Sequence, residues 1–376
     1  MQREFFGIGT LKNLDKLISE YDAKKIFLVY GKKSFRLSGA EEKIGHIIEN
    51  VSYAGFNPTP NPEIEDIKKG VSIFKRFEPD IVIAVGGGSV IDSAKSINAL
   101  SVQSNDPILY IMGEKKLVYG GKPLVAIPTT AGTGSEVTKF ATIYINKKKH
   151  SLESEKIIPD VALVDPTLTY SLTPYLTASN GLDALCQGIE SFWSINSTEK
   201  SRTYAEKAME LAFTNIAKAV KTPNEEVRVA MAKASHFSGK AITLSKTTAC
   251  HAVSYPLTSY FGIPHGHAVA LTMPAFLEFN SIVTEDDCND KRGVVFVKER
   301  MAKILSIIGA GDGKEGKRKF YGLLKDILDD TRLRDFGIGE KDIEFILTES
   351  FTPSRMNNNP RNVSKEGLKQ ILGDIW

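Results

Sequence analysis

Asp183 and Gln187 stand four residues apart in Gly181-Leu182-Asp183-Ala184-Leu185-Cys186-Gln187. On a helix that spacing projects both side chains from one face, so their oxygens can converge on a single point. Further along, Ala249-Cys250-His251-Ala252-Val253-Ser254-Tyr255 and Ile263-Pro264-His265-Gly266-His267 offer imidazoles from two other segments. His251 and His265 would complete a set of nitrogen and oxygen donors suited to a divalent metal such as iron, zinc or manganese. A plainer reading has Asp183 capping a helix and the histidines serving as surface or core residues. Spacing alone leaves both open.

A second stretch with chemical potential begins where Val85 runs into Gly86-Gly87-Gly88-Ser89, with Val90-Ile91-Asp92-Ser93-Ala94-Lys95 reading as the opening of a helix. Three glycines let the backbone approach a pyrophosphate, and a helix N-terminus offers N–H groups and a favourable dipole to an anion. The alternative is a tight strand-to-helix turn without a ligand. In Pro128-Thr129-Thr130-Ala131-Gly132-Thr133-Gly134-Ser135-Glu136, the hydroxyls of Thr129, Thr130, Thr133 and Ser135 can line a cofactor's phosphates and ribose, or else cap the next helix. Gly7-Ile8-Gly9-Thr10-Leu11 is weaker: no strand of adequate length precedes it, and a hairpin turn accounts for it.

These residues need elements to hold them. Apolar runs at 25–30, 80–85, 124–128 and 161–165 fit strands buried on both faces of a parallel sheet. Helical candidates at 38–54, 63–76 and 89–101 alternate with them, as in an open α/β domain. After Pro166 the strand-like runs stop, and 199–220, 225–245, 294–309 and 316–330 carry helical spacing. The expected division is an α/β dinucleotide-binding domain over 1–168 and an all-α domain over 169–376. A chain of 376 residues is long enough for two cores. Its formal charge of +3, without basic runs interleaved with aromatics, argues against a nucleic-acid partner. No apolar run approaches a membrane span, and the N-terminus lacks a signal-peptide core. Cys186, Cys250 and Cys288 are too few for a disulfide scaffold, and the chain reads as cytoplasmic.

Taken together and in order, Gly86–Ser89 with Asp92, Pro128–Glu136, Gly181–Leu185, His251 and Pro264-His265-Gly266 resemble the iron-containing, or group III, alcohol dehydrogenases over essentially the whole chain. The resemblance implies a dehydroquinate-synthase-like architecture, an NADPH or NADH cofactor, and a divalent metal, Fe2+ or Zn2+ with Mn2+ as a further choice. By position it implies Asp183, Gln187, His251 and His265 as ligands. Lys149 is counted with the cofactor-binding residues. Two departures stand out, since the family usually has histidine at Gln187 and again at Tyr255. A neutral amide oxygen is a poorer transition-metal ligand than imidazole. Cys186, three residues after Asp183, is a competing soft donor. The segments 183–198 and 251–268 look like the branch of the family that reduces phosphonoacetaldehyde to 2-hydroxyethylphosphonate.

Reduction of an aldehyde needs a polarised carbonyl, a positioned nicotinamide and a proton for the alkoxide. His267 is the candidate proton relay, or else a helix-start cap. Lys246, where the wider family commonly has glycine, would meet a phosphonate as a point charge. Tyr255 and Arg361, in Asn357-Asn358-Asn359-Pro360-Arg361, are further substrate candidates, whereas Arg202 fits a solvated face. Gly31-Lys32-Lys33-Ser34 after the strand ending at Tyr30 lacks the acid that reads an NAD ribose, which favours NADPH. The expected partners are a small aldehyde or alcohol and a second copy of the chain. The competing readings are a dehydrogenase for uncharged alcohols, a sugar-phosphate-cyclase-like lyase, and a nucleotide-binding protein with a decayed metal site.

Overall fold

The computed structural model describes residues 2–351 and 353–376. The chain forms two compact units, Met1–Leu172 and Thr173–Trp376. In the first, β1 (Arg3–Phe6), β2 (Lys25–Tyr30), β3 (Ser52–Phe56), β4 (Ile81–Gly86), β5 (Leu124–Pro128) and β8 (Val161–Val164) build one sheet in the order β1-β8-β5-β4-β2-β3. Every pairing in it is parallel. The central strands are apolar on both faces because helices cover both. Phe27, Val29, Val82 and Ala84 pack with α4 (Ile64–Phe77) and α5 (Gly88–Ser101). The alternate residues Ile26, Leu28, Ile81, Ile83 and Val85 pack with α1 (Asn13–Glu20), α2 (Ser34–Leu37) and α3 (Ala40–Glu49). A short α6 (Pro107–Ile111) and an antiparallel hairpin of β6 (Phe140–Ile145) and β7 (Lys148–Glu153) complete the unit.

Register brings the chemistry-bearing loops to one edge. Tyr30 pairs with Val85 and Gly86 with Pro128, so Gly31, Gly86–Gly88 and Thr129–Thr130 all leave the sheet at its carboxyl end. Open α/β sheets bind ligands there.

Three expectations change. The helix expected over 38–54 ends at Glu49, and Ser52–Phe56 is an edge strand. A strand does precede Gly7: β1 pairs in parallel with β8, and Gly7 and Gly9, at φ 140° and 73°, turn the chain into a short helical segment rather than a hairpin. The β6–β7 hairpin, absent from the sequence reading, turns on Asn146 and Lys147, both at positive φ.

The second unit consists of helices and connecting loops: α7 (Pro174–Trp193), α8 (Glu199–Lys221), α9 (Glu225–Ser245), α10 (Ala249–Phe261), α11 (His265–Ser281), α12 (Val294–Ile308), α13 (Gly313–Ile327), α14 (Glu340–Ser350), α15 (Pro353–Met356) and α16 (Lys365–Ile375). Pro174 at the first position and the Thr173 hydroxyl accepting from the Leu176 N–H start α7. From Gly181 to Trp193 every residue of α7 is buried, against α8, α9 and α11. Its small residues, Gly181, Ala184, Gly188 and Ser191, allow such packing on all sides. None of the described helices is long and apolar enough to cross a membrane.

Candidate functional site

Asp183 lies mid-way along α7, His251 in the first turn of α10 and His265 at the start of α11. Gly266 makes the last of these placements possible: a Cβ there would press on the Ser179 carbonyl and come within 2.8 Å of the Asp183 Cβ. Without a side chain, α11 closes onto α7 and carries His265 to Asp183. One ligand atom from each of the three residues lies within 4.8 Å of the others. Asp183 Oδ1 and His251 Nε2 are 3.4 Å apart, both buried, and neither has a hydrogen-bond partner. Buried polar atoms are very rarely left so. An oxygen and imidazole nitrogens aimed at a common point fit a divalent transition metal.

Glu190, on the same face of α7 one turn beyond Gln187, fixes this arrangement. Its Oε2 meets His251 Nδ1, while Oε1 accepts from the Thr248 hydroxyl at 2.7 Å and the Cys250 N–H at 2.8 Å. One carboxylate thus caps α10 and dictates the His251 tautomer, with Nδ1 protonated and Nε2 presented to the metal point. Trp193 Nε1 donates to Thr248 at 2.9 Å and extends the network. Burial alone would pull His251 down, but Glu190 and then Asp183 outweigh it and hold the ring at about 9. A metal must therefore displace that proton. Burial likewise opposes charge on Asp183, yet the His251 and His265 rings hold its carboxyl below the ordinary value. The Ser254 hydroxyl donates to the His251 carbonyl at 2.8 Å, so it accepts from His265 Nδ1 at 3.3 Å, which makes Nε2 the ligand atom of His265.

Gln187 is buried one turn from Asp183. Its amide oxygen is 2.9 Å from Ser238 Oγ, which also lies 2.9 Å from the Ser235 carbonyl. A hydroxyl has a single proton. The Gln187 oxygen and the Ser235 carbonyl therefore share that donor, while the Gln187 side chain also hydrogen-bonds Asp183 and helps hold its carboxyl below the ordinary value. Cys186 is buried with its thiol pushed well above the ordinary value, first by burial, and it is not part of the cluster.

In the first unit, the N-cap Gly87 is extended and α5 starts at Gly88. A Cβ on Gly88 would meet Thr133 at 2.8 Å, and one on Gly87 would meet Thr130 at 3.3 Å, so the two loops lie against each other with only backbone between. Thr129 Oγ1 is buried without a partner. Lys32 and Lys33 are exposed beyond β2. This is a cradle that an anionic nucleotide fits.

Several expected site residues are occupied otherwise. Asp92 bonds Ser135 Oγ with one carboxylate oxygen and the Thr142 N–H, at 2.9 Å, with the other. Both residues thus tie the loop to α5 and the hairpin rather than facing a ligand. Lys95, unremarked in the sequence, is buried and donates to Ser135 Oγ, to the Thr138 carbonyl and hydroxyl and to the Phe140 carbonyl at 2.9–3.2 Å. Lys149 is on β7, opposite Tyr144. His267 is fully buried, with Nε2 2.8 Å from the Asp330 carbonyl and Nδ1 3.1 Å from the Tyr175 hydroxyl. Nε2 must donate, so Nδ1 accepts, and burial pushes the ring pKa down. A neutral ring with its one N–H committed to a carbonyl positions Tyr175 and packs α11; it is no relay. Arg361 donates to Asp287 at 2.7 Å and to the Phe279 carbonyl at 2.8 Å and stacks on Phe279, so it stabilises the loop rather than meeting substrate.

Lys246 precedes α10 and Arg355 bonds to it. Lys246 caps α9 at φ 62°, ψ 171°, a conformation nearly confined to glycine that costs other residues about 1–3 kcal/mol. Arg355, missed in the sequence, is buried, and its Nε donates to the Tyr255 hydroxyl at 3.2 Å. The Tyr255 ring tilts toward His265 with centroids 6.5 Å apart.

Residues 2–166 match the iron-containing alcohol dehydrogenase family, and residues 177–376 match the Fe-containing alcohol dehydrogenase family, C-terminal. A phosphonoacetaldehyde reductase of Streptomyces viridochromogenes is 33% identical over 80% of this chain and 77% of its own. An NADPH-dependent butanol dehydrogenase of Clostridium saccharobutylicum is 30% identical over 99% and 96%. Among solved structures, a sulfoacetaldehyde reductase from Bifidobacterium kashiwanohense in complex with NAD+ superposes with a TM-score of 0.88 at 32% identity, over 100% of this chain and 96% of the other.

Proposed function

The chain belongs to the iron-containing alcohol dehydrogenase family, NAD(P)-linked alcohol and aldehyde dehydrogenases that use a divalent metal, and from that premise we propose that it reduces phosphonoacetaldehyde to 2-hydroxyethylphosphonate with NADPH. The observation that carries the chemistry is the trio Asp183, His251 and His265, with two buried ligand atoms lacking any other partner. When bound, the metal polarises the carbonyl oxygen and the reduced nicotinamide supplies hydride. The chain's own residues hold and orient. Asp183, His251, His265 and Gln187 form the donor set, and Glu190 keeps His251 Nε2 aimed at it. Gly86–Gly88, Thr129, Thr130 and Thr133 receive the pyrophosphate end of the cofactor, and Lys32 and Lys33 suit a 2′-phosphate. The low-dielectric setting of the trio strengthens its hold on developing negative charge.

The substrate is supported by the kinship with a phosphonoacetaldehyde reductase and by the two departures from the wider family, Gln187 and Tyr255. A second reading, sulfoacetaldehyde, is favoured by the structural likeness to a sulfoacetaldehyde reductase. Both are two-carbon aldehydes with an anionic head. The deciding assay offers phosphonoacetaldehyde, sulfoacetaldehyde and propanal to the metal-loaded enzyme with NADPH and with NADH. The highest kcat/KM is expected for phosphonoacetaldehyde with NADPH, consumed one for one. Turnover that returns NADPH unchanged would instead indicate a cyclase-type lyase, and no turnover of any aldehyde a decayed site.

A further inference from the structure

Lys246 occupies a conformation that its residue type disfavours. Glu78, another non-glycine residue at positive φ, lies in the ordinary left-handed region at 51° and 66°, but Lys246 at 62° and 171° does not. The backbone is held there from both sides. Its N–H donates to the Ile242 carbonyl at 2.8 Å, and the Asn358 side chain donates to the next carbonyl, Thr247, at 3.0 Å. The neighbours Ser245 and Thr247 are buried, whereas Lys246 is half-buried.

Arg355 is tied to the same arc of chain. Its carbonyl accepts from the Asn358 N–H at 3.0 Å, and the Asn358 side chain reaches Thr247, the residue after Lys246. At its other end Arg355 bonds Tyr255, one turn beyond the metal ligand His251. Arg355 is therefore linked to both ends of the stretch from Lys246 to Tyr255, whose first turn of helix also carries His251.

We propose that Lys246 and Arg355 are specificity-determining residues that read the anionic head of the aldehyde, Lys246 as a point charge and Arg355 as a planar fork held by Tyr255. This rests on the reading of the site as a metal-dependent aldehyde reductase. Strain at Lys246 is retained because the side chain contributes to substrate choice, and strained conformations concentrate at such sites.

The test measures, for metal-loaded wild type, Lys246→Gly, Lys246→Met, Arg355→Gln and Arg355→Lys, the ratio of kcat/KM for phosphonoacetaldehyde to that for propanal. It also measures inhibition of propanal reduction by methylphosphonate and by methanesulfonate, and the melting temperature. Charge-assisted contacts predict that Lys246→Gly, Lys246→Met and Arg355→Gln each lower the ratio about ten- to a hundredfold and raise the methylphosphonate Ki at least about tenfold. Arg355→Lys should lose less. Lys246→Gly should melt about 2–4 °C higher than wild type, because strain is released as specificity falls. A wild type that prefers phosphonoacetaldehyde, with variants that keep the preference, overturns this inference alone. A wild type that reduces propanal without favouring either anionic aldehyde overturns the substrate reading. In that event methylphosphonate competition lost in the variants would still establish the anion site, and no competition would overturn it. Stronger inhibition by methanesulfonate than by methylphosphonate would assign the site to a sulfonate.

Discussion

Glu190 does two jobs with one carboxylate, capping α10 through the Cys250 N–H and setting the tautomer of His251 through Nδ1. Replacing it by Gln keeps the shape but leaves a weaker acceptor, so metal affinity should fall about 10- to 100-fold. Metal content after graded dialysis against a chelator measures this, and retention equal to wild type would reduce Glu190 to a cap. Gln187→His should move the other way, since imidazole outranks an amide oxygen as a transition-metal ligand. Chelator competition should show at least about tenfold tighter retention, and weaker retention would mean that position 187 does not face the metal. Helical spacing and a histidine pair left Asp183, His251 and His265 open between a donor set and ordinary core residues, and only the family resemblance singled them out. Glu190 was not singled out, although it lies seven residues after Asp183 on the same helical face. A lone acid in an apolar helix signals function only once burial is known. Arg361 misled because its sequence shows a turn but not the Asp287 carboxylate it pairs with.

At the scale of elements, the glycines of the β4–α5 turn and the tie through Lys95 lead to separate predictions. Gly87→Val would push a branched side chain into Thr130 across the cradle. The NADPH dissociation constant should rise at least about tenfold with metal content unchanged; an unchanged constant would make the turn purely structural. Burial draws Lys95 from 10.5 down to about 8, against the attraction of Asp92 and Glu136. Between those pH values the unfolded chain keeps a proton that the folded chain has released, so this group's contribution to stability is level below about 8 and rises through the window, by roughly 3 kcal/mol in all. The thiols of Cys186 and Cys250, pushed up by burial, act in the opposite direction once unfolded thiols ionise. The difference between wild type and Lys95→Met isolates the lysine. Urea unfolding at pH 7.5 and 9.5 should show wild type gaining on the variant as pH rises, and a constant or shrinking gap would contradict the assignment. The parallel strands were readable because burial on both faces leaves unbroken apolar runs. β3 and the β6–β7 hairpin were not, being partly exposed and mixed in character, and their pairing depends on distant partners.

For the molecule as a whole, the change from strand-like runs to helical spacing near Pro166 was visible because buried parallel strands and amphipathic helices differ in period. What period could not show was how each unit builds its own site. The candidate metal ligands belong to Thr173–Trp376, while Gly86–Gly88, Thr129 and Thr133 belong to Met1–Leu172. A ligand at 100 times its Kd stabilises the folded state by about 2.7 kcal/mol, and the protection falls first on the elements it touches. Hydrogen exchange should therefore separate the two sites. Removing the metal is expected to raise exchange in α7 around Asp183–Glu190 and in the first turns of α10 and α11, with α5 little changed. Adding NADPH to the metal-free enzyme should instead slow exchange in Gly86–Ile91 and in the loop from Thr129 to Ser135. Metal removal that loosens α5 while sparing α7 would place the metal elsewhere, and NADPH protection absent from Gly86–Ile91 would remove the cradle from the cofactor site.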